Sequence, residues 1–170
     1  IAPDTVGWLR AGRARRDATN VAFHIAVRQR LLGLWKAIIV LAGDVVFSAE
    51  DNIDTLMPDY TYLQQAQPTT PGHYLLGLVY PMQRDMTRLE ECYERVNRCP
   101  GGIGSSNGTR LGLDRQELAW SLGFDGPVTH ARDAMWQADL PIEIASTAVT
   151  VLINLSRLAE DLQVWCTQEF

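Results

Sequence analysis

The sequence predicts an all-α protein, a long antiparallel helix bundle with almost no β-strand. Three stretches, near residues 18–52, 71–97 and 140–167, carry apolar side chains at helical spacing. In the first stretch the apolar residues recur mostly at sevens, which is typical of helices packed side by side at about 20°. A chain of 170 residues can bury a substantial core as one ordinary domain.

Composition and charge exclude several classes of partner. Hydrophobic residues make up 46% of the chain, which argues against disorder, and the net charge of −5 gives no general attraction to nucleic acid. No stretch approaches the roughly 20 apolar residues of a membrane span, so no membrane partner is expected. Cys92, Cys99 and Cys166 lack metal-ligand spacing. We therefore expect no metal or other cofactor, buried thiols at Cys92 and Cys99, and a reducing, cytoplasmic compartment.

The N-terminal residues 1–17 are predicted as a basic loop without periodicity, and residues 18–170 as the helical domain. The loop carries four arginines within seven positions: Arg10, Arg13, Arg15 and Arg16. It is either a solvated loop or an anion site, because guanidinium groups bind carboxylates in a bidentate fashion. Two adjacent arginines in an irregular loop can both reach one anion, whereas on a helix they would diverge by about 100°.

The ends of the first two helices carry recognisable signals. The first helix contains one histidine, His24, which we interpret as a surface or satisfied packing residue. The second helix begins at Pro71, because proline suits a first helical turn and Thr69 or Thr70 can cap it. His73 lies in that first turn and is interpreted as a packing residue or as a support for neighbouring site residues.

The connection between these helices, Asp59–Pro68, is dense in polar side chains. Thr61, Tyr62, Gln64 and Gln67 can each donate or accept hydrogen bonds, and prolines at both ends stiffen the segment. We predict a rigid polar loop. Its amides could simply satisfy helix ends, or the loop could carry a site, since bundles place sites on rigid loops between helices.

The second half of the chain begins with a glycine-rich connector, Pro100–Thr109. It has neither the Gly-x-Gly-x-x-Gly spacing nor the lysine of a phosphate-binding loop. A short helix over Leu113–Leu122 should end at Gly123, a plausible C-cap. The following irregular segment carries two further site candidates, His130 and Arg132, and the last long helix comes after it.

Several of these segments together resemble the argininosuccinate lyase branch of the fumarase/aspartase superfamily. The central stretch reads Pro-x-Tyr-Thr-x-Leu-Gln-x-Ala-Gln-Pro and matches the family signature except at Tyr62, where the family has a histidine on the acid–base side of its site. Gly12–Asp17 resembles the family's Gly-Arg-Ser-Arg-Asn-Asp, with Ala14 in place of serine and Arg16 in place of asparagine. The glycine-rich connector and Asp133-Ala134 match as well.

The resemblance spans the whole chain and corresponds to the family's central helical region. We therefore expect the chain to be a segment of a larger protein, with the family's serine-containing loop beginning shortly after Phe170. The resemblance implies a carbon–nitrogen lyase that eliminates an amine from an N-substituted aspartate and releases fumarate, with a serine of that loop as the base. It also implies a cytoplasmic homotetramer whose active sites are assembled from several subunits.

The resemblance assigns site residues position by position. It implies catalytic roles for Tyr62 and Thr61, and binding of a small aminodicarboxylic substrate by Arg15, Arg16, Gln67 and Asn107. A phenol titrates near 10 and an imidazole near 6.5, so Tyr62 should act as a hydrogen-bond donor rather than a base.

Three interpretations of the departures remain open. The first is a lyase for another N-substituted aspartate, like the related enzymes that split ethylenediamine disuccinate. The second is a true argininosuccinate lyase with a divergent site, and the third is a catalytically inactive structural bundle protein, for which delta-crystallin relatives are the precedent. We favour the first, because Ala14, Arg16 and Tyr62 depart together. The extra charge of Arg16 predicts a substrate more negative than argininosuccinate.

Overall fold

The computed structural model describes residues 3–168, and most of its regular structure is helical. In chain order the elements are a 3-10 helix Pro3–Arg10, α1 Arg15–Asp51, β1 Met57–Thr61, β2 Gln64–Thr69, α2 Pro71–Val96, β3 Arg98–Cys99, a 3-10 turn Gly104–Ser106, α3 Arg115–Ser121, β4 Gly126–Pro127, α4 Ala131–Met135 and α5 Asp139–Trp165. The all-α class and the three long helices are confirmed. The angles between those helices stay a prediction.

The chain divides into two compact units. Unit 1 contains the residues up to Leu32 together with Glu91–Ile144. Unit 2 contains Gly33–Glu90 together with the residues from Ala145 onward. The glycine-rich connector therefore belongs to unit 1, and the polar stretch between α1 and α2 belongs to unit 2.

The core of unit 1 forms around the connector and the short elements that follow it. Strands β3 and β4 pair in parallel, with Cys99 opposite Pro127. Two buried apolar clusters lie beside this pair: Cys99, Ala119 and Phe124 in one, and Ile103, Val128 and Ala134 in the other. Cys99 and Cys92 are both buried free thiols, as predicted, while Cys166 is exposed.

His24 is the satisfied packing histidine that the sequence predicted. It is buried in unit 1, its Nδ1–H donates to the carbonyl oxygen of Val96 at 2.9 Å, and its ring meets Phe124 edge to face. Burial lowers the pKa of His24 below its ordinary value, and the nearby guanidinium of Arg28 adds to this lowering. The imidazole is thus held neutral within the core.

Helix α2 starts as predicted, and a polar network joins it to α5 within unit 2. The Thr70 hydroxyl oxygen accepts the backbone N–H of His73 at 3.1 Å, which caps the helix. Farther along, the Asp85 carboxylate is only 1% exposed and accepts hydrogen bonds from Asn154 and Arg88, each at 2.8 Å. Each of the two carboxylate oxygens therefore accepts one hydrogen bond, as a buried carboxylate requires.

Two expectations about the N-terminal region and the connecting stretch are wrong. Residues 1–17 are not one irregular loop, because Pro3–Arg10 forms a 3-10 helix and α1 already begins at Arg15. The stretch between α1 and α2 is not a loop but an antiparallel hairpin of β1 and β2. Pro58 and Pro68 lie opposite each other in this hairpin, where both strands are edges and tolerate proline.

The expectation that no segment is long and apolar enough to cross a membrane is also wrong. By length and apolar composition α1 and α5 could each cross a membrane, a test that the core helices of bundle proteins pass as well. An exposed apolar surface of this size is typical of an interaction surface. Large apolar side chains on the unit 2 parts of both helices are exposed, among them Ile39, Val40, Phe47, Val149, Leu152 and Ile153.

Candidate functional site

The hairpin of unit 2 places Tyr62 at its tip. Thr61 pairs with Gln64, so Tyr62 and Leu63 form a two-residue turn, with φ of 52° and 58°. Positive φ at both central residues is what a type I′ hairpin turn requires, although asparagine and glycine usually supply it. The Tyr62 side chain is 98% exposed, so its phenol is directed outward and is available to a ligand.

Gln67 lies at an irregularity of the same hairpin. Pro58 pairs with Pro68 and Tyr60 with Gln65, so Asp59 alone faces both Ala66 and Gln67. This two-against-one arrangement is a β-bulge, which bends a strand and redirects side chains. Thr61, Tyr62 and Gln67 are all exposed on one small ribbon. The structure therefore brings these three predicted residues together.

Arg15 and Arg16 occupy the first turn of α1 in unit 1. Both are exposed, and no ion pair involves either of them within residues 3–168. Adjacent side chains on a helix diverge by about 100°, so the expectation that both reach one anion from an irregular loop loses its geometric basis. The free backbone N–H groups of this helix start still favour an anion nearby.

Asp17, which the sequence analysis did not single out, joins this helix start to the glycine-rich connector. Its carboxylate is 2% exposed and accepts the backbone N–H groups of Gly104 at 3.1 Å and Ser105 at 3.3 Å. Asn107 follows two residues later and is exposed. Arg15, Arg16 and Asn107 are thus brought to one region of unit 1.

The two groups of predicted residues lie in different units. Thr61, Tyr62 and Gln67 belong to unit 2, whereas Arg15, Arg16 and Asn107 belong to unit 1. His130 and Arg132 are exposed around the start of α4, and neither takes part in the Asp17 arrangement. Within the described part of the chain, no group of His, Cys, Asp and Glu side chains could hold a metal ion.

A comparison with known proteins assigns the chain to a family. The family model described as "Lyase" matches residues 1–170. The chain belongs to this lyase family. Within it, the chain falls in the argininosuccinate lyase branch of the fumarase/aspartase superfamily.

Members of this family are similar to the chain along nearly its full length. It is 38% identical to the argininosuccinate lyase of Methanococcoides burtonii over 170 residues, which cover 100% of this chain and 35% of that protein. The crystal structure of EDDS lyase in complex with formate is 36% identical, with a TM-score of 0.93, and covers 96% of this chain and 33% of that one. An EDDS lyase variant with bound fumarate gives the same TM-score of 0.93. The chain thus spans about a third of the length of these relatives.

The chain is similar to argininosuccinate lyase and to EDDS lyase at nearly equal identity, 38% and 36%. Asp17 was missed because its signal is tertiary: its partners, Gly104 and Ser105, lie 87 and 88 residues away. The Gly-Arg-Ser-Arg-Asn-Asp resemblance ends on Asp17 and was the one available clue.

Proposed function

We propose that the complete protein is a carbon–nitrogen lyase that removes an amine from an N-substituted aspartate and releases fumarate. One observation carries the proposal: a chain matched throughout by a lyase family presents Tyr62, 98% exposed, at the hairpin position where the family signature has its histidine. The likeness to EDDS lyase, one variant of which was solved with bound fumarate, supports the same product.

The elimination has two physical requirements that this chain can meet in part. A base removes a proton from the carbon beside a carboxylate, and the negative charge that develops on that carboxylate needs hydrogen-bond donors or cations. The phenol of Tyr62 and the hydroxyl of Thr61 are exposed donors on the hairpin. The guanidinium of Arg15 is an exposed cation at a helix start. We assign these residues to substrate binding and charge stabilisation, and the base to the family's serine.

The substrate's leaving amine is proposed to carry less positive charge than the guanidinium of argininosuccinate. Arg16 stands where the family signature has a neutral asparagine, and it has no acidic partner among the described residues. An unpaired cation repels a guanidinium and favours an anionic N-substituent. Because Arg15 and Arg16 diverge on a helix, they do not share one carboxylate. We assign them to separate groups of the substrate.

The assembly is proposed to be a homotetramer in the cytoplasm, with each site drawn from more than one copy. The predicted site residues fall in two different units, and the exposed apolar faces of α1 and α5 need cover. We assign these faces to packing against further copies of the chain rather than to lipid. Light scattering on the complete protein measures its mass directly. A stable monomer would exclude this assembly.

The function is tested by following fumarate release by the complete protein on a panel of N-substituted aspartates. The panel contains argininosuccinate, ethylenediamine disuccinate and N-substituted aspartates of graded charge. Release from the anionic members with none from argininosuccinate supports the proposal. Release from argininosuccinate alone identifies a divergent argininosuccinate lyase, and no release from any member supports a structural protein.

Variants at the hairpin tip test the role of Tyr62. Tyr62→Phe removes one hydroxyl and should lower kcat/KM by about 100-fold if that hydroxyl stabilises developing charge. Because Tyr62 is almost fully exposed, the change should leave the fold intact. Tyr80→Phe, at an exposed tyrosine on α2, is the matched control and should leave kcat/KM unchanged. Equal activity of both variants would remove Tyr62 from the mechanism.

A further inference from the structure

Asp17 is a buried carboxylate whose two oxygens serve the backbone of a distant loop. Oδ2 accepts the N–H of Gly104 at 3.1 Å, and Oδ1 accepts the N–H of Ser105 at 3.3 Å. The residue is 2% exposed, so water does not compete for these bonds. Consecutive backbone N–H groups that converge on one anion form a nest, and here the anion is the protein's own side chain.

The loop that Asp17 holds is in a conformation that L-residues rarely adopt. Ser105 has φ 81° and ψ −47°, close to the strained γ-turn geometry, and Gly104 before it has φ 54°. A non-glycine residue persists in such a conformation only where its surroundings determine it. The paired hydrogen bonds to Asp17 hold the backbone at this position.

The bonds of Asp17 also connect two parts of the proposed binding region. Asp17 follows Arg15 and Arg16 directly in the first turn of α1. The connector continues from Ser105 to Asn107, and beyond it Leu111 lies near Gly12, where an added Cβ would be 3.4 Å from the leucine side chain. Asp17 therefore ties the connector, and with it Asn107, to the helix start that carries the two arginines.

We propose that Asp17 is a positioning residue for substrate binding: its carboxylate fills the amide nest of Gly104 and Ser105 and so fixes Asn107 relative to the arginines of α1. This inference rests on the proposed function for its effect on substrate. It has a consequence for recognition as well. Since the nest is already occupied, its two N–H groups do not bind a substrate carboxylate, and that task falls to side chains.

The test uses three variants of the complete protein. Asp17→Asn replaces one acceptor by an NH2 group that faces a backbone N–H, so the connector loses at least one bond. Ser105→Gly allows the same backbone conformation without strain. The double variant combines them. Asp114→Asn is the matched control, because Asp114 also accepts two backbone N–H groups, as the exposed N-cap of α3, where asparagine caps equally well.

Two measurements separate the structural claim, that Asp17 holds the connector, from the functional claim, that this affects substrate binding. Hydrogen exchange of the Gly104 and Ser105 amides should accelerate by about tenfold in Asp17→Asn and be unchanged in the control. KM for the best substrate of the panel should rise by about tenfold while kcat changes by less than about threefold. Ser105→Gly in the Asp17→Asn background should return KM to within about threefold of the unmodified protein.

Each outcome decides a separate claim. Unchanged amide exchange in Asp17→Asn overturns the positioning role, whatever the activity. Faster amide exchange with an unchanged KM shows that the connector's position does not affect substrate binding. If KM of the double variant stays as high as that of Asp17→Asn, the charge of Asp17 matters rather than the conformation of the connector. Either result overturns the proposal. An unmodified protein that releases no fumarate rejects the proposed function, while the exchange rates still decide whether Asp17 holds the connector.

Discussion

Gly72→Ala should destabilise unit 2, although alanine is the better helix former. Gly72 lies in the first turn of α2, and a Cβ added there would be 2.8 Å from the carbonyl oxygen of Ala49 and 3.2 Å from Cα of Ile53. Both are backbone atoms and cannot rotate away. Overpacking of this kind costs about 1–3 kcal/mol, while alanine recovers at most about 1 kcal/mol of helix propensity. With full recovery of the helix propensity, the net loss is up to about 2 kcal/mol.

Gly77→Ala provides the matched control on the same helix. Apart from the neighbouring backbone of its own helix, no atom of the described residues lies within 4 Å of a Cβ added at Gly77, so the substitution brings the helix-propensity gain without a clash. It should stabilise the protein by up to about 1 kcal/mol. Urea unfolding of both variants at one fixed protein concentration gives the two changes in free energy from the shifts in midpoint.

The signs of the two changes in the free energy of unfolding decide the test. If Gly72→Ala is as stable as Gly77→Ala, the backbones of α1 and α2 do not approach each other closely at Gly72. A loss in both variants would instead mean that the Gly77 surface is covered in the assembly. Only opposite signs support the close approach of Gly72 to Ala49.

Three further changes test other parts of the fold. Because burial lowers the pKa of His24, the unfolded state takes up a proton below pH 6.5 before the folded state does, so stability should fall as pH decreases below 6.5, and His24→Gln should flatten this dependence in urea unfolding. Asp85→Ala leaves the Asn154 amide without its acceptor and should cost about 1–3 kcal/mol, part of which Asn154→Leu should restore in a double-mutant cycle. Thr70→Ala should cost about 1 kcal/mol of thermal stability through the lost N-cap, and Thr69→Ala distinctly less.

The long helices were predictable because their signals are local. Apolar spacing marks α1 and α5, and Pro71 with a preceding threonine marks the start of α2. The hairpin was not predictable in the same way. Its turn residues, Tyr62 and Leu63, lack the asparagine and glycine that announce a type I′ turn, and two prolines argue against a strand. A two-stranded ribbon relaxes the rule on proline, since both of its strands are edges.

The candidate site was predicted through resemblance and not through local pattern. Tyr62 and Arg16 stood out because they depart from a motif that the rest of the stretch matches. Asp17 matches the motif and therefore drew no attention, although both of its carboxylate oxygens accept backbone N–H groups of the connector. A carboxylate that bonds to a loop 87 residues away leaves no trace in the neighbouring sequence.

The charges in the first turn of α1 make a physical argument for an anion at this place. A helix N-terminus carries partial positive charge, so cationic side chains there are unfavourable by about 0.3–1 kcal/mol each. Arg15 and Arg16 both occupy that turn, and the carboxylate of Asp17, the acidic residue beside them, is turned away to the connector. Sequences break such local rules chiefly at functional sites. A carboxylate bound at the helix start would pair with one of the two diverging guanidinium groups and offset this unfavourable charge, so we expect anion binding to stabilise this region.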